Sequence, residues 1–243
     1  YPDLPAEISK VSLELLIDNQ DGVIDNTQVN LKQFHLEFGK SQVDARVLMA
    51  NLDNYDLDTS INANIHLAEL TSILPMRDIS PKGILSLDIE STGIYDRHLG
   101  LIPKIDAAMN LVNGQIESSA YPFVLDKLNF KAQVNNPTGK MADLVAVIPD
   151  FSMEIDGEVF AANLEVVDLN KYTWKLNATG GIDLGKITQI FPLENTSLSG
   201  RVKANLSSSG NIEDLKAKNY HLLATSGNIS MTDFGYSAQS IPL

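Results

Sequence analysis

The sequence predicts a mainly β protein, a tandem-repeat antiparallel twisted sheet forming a curved apolar trough, with one short helix per repeat. Three observations point there. Apolar and polar residues alternate with period two along several runs, turn-forming residues separate those runs, and the first half of the chain aligns with the second.

The alternating runs come in order. Val11, Leu13, Leu15 and Ile17 form the first, Ile61, Ala63, Ile65 and Leu67 the next, and Leu85, Leu87 and Ile89 a third. Leu128, Phe130, Ala132 and Val134 follow, then Val202, Ala204 and Leu206. Period two puts one face of each strand in an apolar environment and the other in water. Turn chemistry lies between them at Asn19-Gln20-Asp21-Gly22, Asn135-Asn136-Pro137-Thr138-Gly139 and Ser208-Ser209-Gly210-Asn211. Two segments switch to helical spacing, Leu67–Leu74 before Pro75 and Leu184–Phe191 before Pro192, and each proline should end its helix. His66 and Asp183 stand at the two starts, and Asp183 is the better cap.

Those helices belong to an internal repeat. A shift of 117 residues pairs Asn19 with Asn136, Gly22 with Gly139, Phe34 with Phe151, Tyr55 with Tyr172, Ile65 with Ile182, Pro75 with Pro192 and Gly83 with Gly200. The register needs no gap from Pro5 to Asp96, and about one position in five is identical, against about one in fifteen by chance. After Asp96 a gap of about four residues is expected to bring Gly114 against Gly227. The repeat divides the chain into residues 1–120 and 121–243, each with roughly eight or nine short strands and a two-turn helix. Separate sandwiches or one continuous sheet are both physically open. No Gly/Ser/Pro-rich linker separates the copies, since Ala120 to Asn135 runs straight on, and this favours the continuous sheet.

Composition narrows the function. Of 243 residues, 18 are Lys or Arg and 31 Asp or Glu, a net charge of −13 that argues against nucleic acid as a partner. With no cysteine there is neither a disulfide framework nor a thiolate site. No apolar stretch approaches the roughly 18 residues a membrane helix needs. The chain starts at Tyr1 without a signal, so it reads as a piece of a longer protein whose anchor lies elsewhere.

No catalytic, cofactor or metal signature emerges. His35, His66, His98 and His221 have no metal-site spacing, and Ser152 and Asp183 replace the first two in the second copy, so solvent-facing or capping roles are expected. Asp18 to Gly22 has calcium-loop composition, but Ile17 and Gln28 would fall on ligand positions, so it reads as a hairpin turn. Trp174 aligns with Leu57 and reads as a packing residue, and the scarcity of aromatics disfavours sugar binding.

One phrase occurs twice. In the second copy it runs Asp183-Leu184-Gly185-Lys186-Ile187-Thr188-Gln189-Ile190-Phe191-Pro192, then Leu198-Ser199-Gly200-Arg201-Val202-Lys203-Ala204-Asn205-Leu206 and Gly210. The first copy has Leu67 to Pro75, then Gly83-Ile84-Leu85-Ser86-Leu87-Asp88-Ile89 and Gly93, departing at His66 and Pro81. With the strand Gly227-Asn228-Ile229-Ser230-Met231-Thr232, the phrase resembles the AsmA-like family of Gram-negative envelope proteins, which includes TamB-type members. The resemblance covers both copies. It implies a periplasmic protein anchored to the inner membrane by a segment outside this chain, working in outer-membrane biogenesis and lipid transport. Its partners would be phospholipid or another acyl lipid, with outer-membrane assembly proteins besides, and membrane contact would come through regions outside this chain.

The reading is therefore a non-enzymatic protein without cofactor, binding or conducting phospholipid acyl chains along a hydrophobic β groove between inner and outer membrane. The candidate lining is Leu13, Leu15, Ile17, Ile61, Ile65, Leu85, Leu87 and Ile89, then Phe130, Ala132, Val134, Ala178, Ile182, Val202, Ala204 and Leu206. The alternative is a secreted or surface β-sandwich adhesion or scaffold module, in which those residues are ordinary core.

Overall fold

The computed structural model describes residues 8–52, 55–73, 79–96, 99–118, 121–155, 157–190, 193 and 196–238. Twelve strands pair antiparallel with their chain neighbours in one unclosed, curved sheet, ordered β1 to β12. The sequence left a two-sheet sandwich open, and the structure takes the single sheet.

The strands fall into two runs of six. The first holds β1 (Ile8–Asp18), β2 (Gln28–Phe38), β3 (Ser41–Met49), β4 (Asp56–His66), β5 (Ile79–Ile94) and β6 (Lys104–Ser118). The second holds β7 (Tyr121–Asn136), β8 (Val145–Ile155), β9 (Glu158–Val167), β10 (Thr173–Asp183), β11 (Thr196–Gly210) and β12 (Ala224–Ala238). Helix α1 (Leu67–Ile73) follows β4 and α2 (Leu184–Ile190) follows β10, so both begin where expected. Leu74, Pro75, Phe191 and Pro192 lie outside the described residues. A third helix, α3 (Ile212–Lys216), was not foreseen, although Asn211 caps it by accepting from the Asp214 amide at 2.8 Å.

The expectation of eight or nine short strands per copy is corrected to six longer ones. Residues that signal breaks sit instead at bulges inside strands. Pro149 lies in β8 where the register with β9 slips between Ile148 and Phe151. Proline lacks an N–H and is tolerated where the ladder is already interrupted. The matching slip in the first run lies between Leu31 and Phe34 of β2. It shifts the apolar period by one, so Val29 and Leu31 share a face with Phe34 and Leu36.

Local chemistry explains the repeated shapes. Asn19 Nδ2 donates to the Val23 carbonyl at 2.8 Å, and its Oδ1 accepts from the Gly22 amide at 2.6 Å. Asn136, fully buried, does the same work with the Lys140 carbonyl at 3.2 Å and the Gly139 amide at 3.0 Å. Each leads into a single 3₁₀ turn, Ile24–Asn26 and Met141–Asp143. The loop with calcium-like composition is thus a turn held by its own asparagine.

Gly83 and Gly200 have φ of +116° and +100°. A Cβ on Gly83 would stand 2.9 Å from Gly114 Cα, and one on Gly200 would stand 2.6 Å from the Asp233 carbonyl oxygen. Only glycine allows that backbone to lie so close to its neighbour. The strand opposite bulges there with Asn113 at φ +52° in one copy and Asp233 at φ +53° in the other. This register corrects the late alignment: Asn113 answers to Asp233, and Gly227, opposite Leu206, takes the place that Ala107 holds opposite Ile89. The connection carrying α3 is longer than its counterpart, so the gap is an insertion in the second copy.

Candidate functional site

Directly opposed residues of an antiparallel ladder point to one face, so the register shows which side chains share a surface. One row runs Leu13–Phe34–Ala45–Ile61–Ile89–Ala107–Val134–Ala146–Val166–Trp174. A second runs Val11–Leu36–Val43–Ala63–Leu87–Met109–Ala132. A third runs Ile65–Leu85–Leu111–Phe130–Phe151–Ala162–Ala178–Leu206. Leu15 faces Leu31 and Ile17 faces Val29 beside the first row, while Val202 stands between Ile182 and Met231, and Ala204 between Gly180 and Ile229. All sixteen predicted lining residues therefore lie on one face.

The prediction missed much of that face. Phe34, Leu36, Leu111, Phe151 and Met153 belong to it. Period two along Ala107, Met109 and Leu111 was a readable signal. In β2 and β8 the bulge divides the pattern into two short pieces of opposite phase, which hides it.

The two ordinary helices sit at one end of the face, α1 against β4 and β5, and α2 against β10 and β11. Ile187 of α2 packs with Ile182 and Phe160 on the buried cluster Leu125, Met153 and Ile155. Asp183 caps α2 as expected, accepting from the Lys186 amide at 3.2 Å. Glu69 of α1 instead ties down the β2–β3 turn, accepting from the Lys40 amide at 3.0 Å and the Ser41 hydroxyl at 2.5 Å. Burial works against the Glu69 charge, but those bonds outweigh it and hold the carboxyl below its ordinary value.

The opposite face is polar. Arg46 forks onto both oxygens of Asp58 at 3.0 Å, and Lys175 meets Glu165 at 2.9 Å. Asn177 donates to Asn163 at 2.9 Å. An open depression of about 570 Å³ is lined by Asn163, Asn177, Thr179 and Asn205 together with Phe151, Ala162, Ala178 and Leu206 of the third row. His35 departs from its expected solvent-facing role. It is buried, with Nδ1 2.6 Å from Asp44 and Nε2 2.8 Å from Glu37, because its strand neighbours place carboxylates on both sides of the ring. Those bonds, to Asp44 first and then Glu37, raise its pKa above 6.5. Trp174 lies on the apolar face, its indole N–H donating to Ser208 Oγ at 3.3 Å and its ring against Gly210.

Among the described residues no group of three His, Asp or Glu could hold a metal ion, and no helix is long and apolar enough to cross a membrane. Compared with family models, with curated proteins and with solved structures, the chain finds no match. The candidate site is therefore defined by the apolar face itself.

Proposed function

We propose that this protein is a non-enzymatic, lipid-handling module of the periplasm that shields phospholipid acyl chains along its apolar face, as the AsmA-like resemblance suggests. The observation that carries the reading is a continuous apolar face on a single sheet, with short helices in the strand connections and, among the described residues, no second layer across it. Strands stand about 4.8 Å apart, so twelve extend the face over roughly 50 Å. Soluble monomers rarely leave a contiguous apolar patch above a few hundred Å², and such a patch usually marks a binding surface. Each CH₂ taken from water onto it would gain about 0.8 kcal/mol.

Leu206→Asp tests the reading. Leu206 lies on the third row between Ala178 and Gly227, partly exposed. A carboxylate there would have to be desolvated beside an acyl chain, which is strongly unfavourable. Co-purifying phospholipid, counted by native mass spectrometry, should fall several-fold while the melting temperature moves by only a few degrees. Unchanged lipid, or no lipid on the wild type, would remove the acyl-shielding function.

A further inference from the structure

The open depression of about 570 Å³ in the second copy falls in the size range of ligand sites. The register shows on which face it lies. The row Phe151–Ala162–Ala178–Leu206–Gly227 runs along its floor, and residues next to that row on each strand line it as well. Neighbours along a strand point to opposite faces. Leu164, Leu176, Ala204 and Ile229, which flank the row on the apolar face, do not line it. The hollow therefore lies on the polar face, where the floor row offers main chain and polar side chains make the walls.

Two ladders form those walls. One is Asn163–Asn177–Ser207–Ser226, and the other is Ala161–Thr179–Asn205–Asn228. Their counterparts in the first copy are Arg46–Ser60–Glu90–Asp106 and Asp44–Asn62–Asp88–Ala108. Arg46, Glu90, Asp106, Asp44 and Asp88 are charged, and every residue that replaces them in the second copy is neutral. The first copy turns its groups on one another, with Arg46 forking onto Asp58 and Ser60 donating to Glu90 at 2.6 Å. In the second, Asn177 donates to Asn163 at 2.9 Å, while the side chains of Thr179, Asn205, Ser207 and Asn228 have no partner among the described residues. Their hydrogen-bonding capacity faces outward.

We propose that this hollow binds a neutral, extended β-linked glycan lying across β9 to β12. Amides and hydroxyls offer both donors and acceptors, as sugar hydroxyls do, so the two pair without desolvating a charge on either side. The ladders step from strand to strand at about 4.8 Å, close to the repeat of an extended β-linked chain, so four strands meet about four sugars. The scarcity of aromatics removes stacking but leaves hydrogen bonding, and a sugar held that way binds weakly and exchanges fast. The site lies on the face turned away from the acyl-shielding surface, so either reading can fail and leave the other standing.

Cellotetraose titrated into the isotope-labelled full chain tests the proposal by NMR. The side-chain amides of Asn163, Asn177, Asn205 and Asn228 should shift together at millimolar sugar, and those of Asn62 and Asn64 in the first copy should stay still. Asn177→Ala/Asn205→Ala, at two exposed positions, should weaken binding about tenfold while the fold is kept, because two hydrogen-bonding groups are lost. The wild-type map locates the site even if that variant unfolds. No shift, shifts spread over both copies, full binding by a folded double variant, or larger shifts from a neutral Gly-Ser peptide of similar length would overturn the proposal.

Discussion

The junction between β6 and β7 and the two free edges are built from equivalent residues, yet they differ sharply in how much water they meet. Leu125 on β7 is 2% exposed, whereas Ile8, 117 positions earlier on β1, is 40% exposed. Leu111 on β6 is 6% exposed, and Met231, its counterpart on β12, 56%. Side-chain chemistry hardly changes between members of a pair. The neighbouring strand decides. Among the described residues no second layer covers the sheet, so a side chain on it is shielded by the strands beside it, by the curvature and by the helices α1 and α2. Where the copies meet, the adjoining strand closes over side chains that stay open to water at β1 and β12.

The largest expected effect follows directly. Leu125 sits in the cluster closed by Ile187, so truncating it leaves a cavity that a constrained site cannot collapse. Leu125→Ala should cost about 2–5 kcal/mol by urea unfolding. Ile8→Ala removes a similar side chain from the free edge and should cost less than about 1 kcal/mol. Equal losses would break the comparison, because they would mean that the edge is as well packed as the junction.

A smaller effect separates the two glycine bulges. Gly83 touches β6, which is held on its other side by β7, while Gly200 touches β12, which has no outer neighbour. A new Cβ clashes with backbone at both, and each also requires positive φ. At Gly83 the opposing strand cannot retreat, so Gly83→Ala should cost about 2–3 kcal/mol, at the upper end of backbone strain. At Gly200 the edge strand can yield, leaving mainly the φ term of about 1 kcal/mol. Hydrogen exchange sharpens the distinction: Gly200→Ala should loosen β12 alone, and Gly83→Ala should loosen β5 to β7 together. The reverse order of stabilities would show that the edge is as rigid as the interior.

Much of this was legible because the controlling physics is local. Alternation at Leu85, Leu87 and Ile89 fixes a face, a switch to helical spacing marks α1 and α2, and self-alignment ties the copies together. What escaped was set by register. The bulges at Lys32-Gln33 and Pro149-Asp150 reverse the apolar phase within one strand, so neither β2 nor β8 shows a readable alternating run. The match of Gly114 to Gly227 followed residue identity, while the ladder pairs strands by position and places a longer connection, with α3, before β12. His35 looked like a surface residue because its carboxylate neighbours come from β3 as well as from its own strand. The apolar site was half visible, as its interior rows need the pairing of strands to be assembled.

The smallest effect concerns that histidine, which one copy has and the other lacks. Position 152 of the second copy is serine, so only the first copy carries a titrating group there. The groups facing His35 are Asp44 on β3 and Glu37 on its own strand, with Lys10 of β1 opposing more weakly. Hydrogen bonds that the protonated ring donates, to Asp44 first and then Glu37, lift its pKa above the ordinary 6.5. The stabilisation is then fully present below 6.5 and is lost as pH rises through the higher folded value. On the acid side, Asp44 is held below its ordinary 3.8, chiefly by His35, so the contribution fades again as pH falls through and below 3.8. His35→Ser, which installs the second copy's residue, removes both arms and leaves the other carboxylates as a common background. The gap in Tm between wild type and variant should be widest between about pH 4 and pH 6.5 and narrow on either side. A gap independent of pH from 3 to 9 would show that His35 serves only as packing, and that the polar faces of the two copies differ in composition but not in electrostatics.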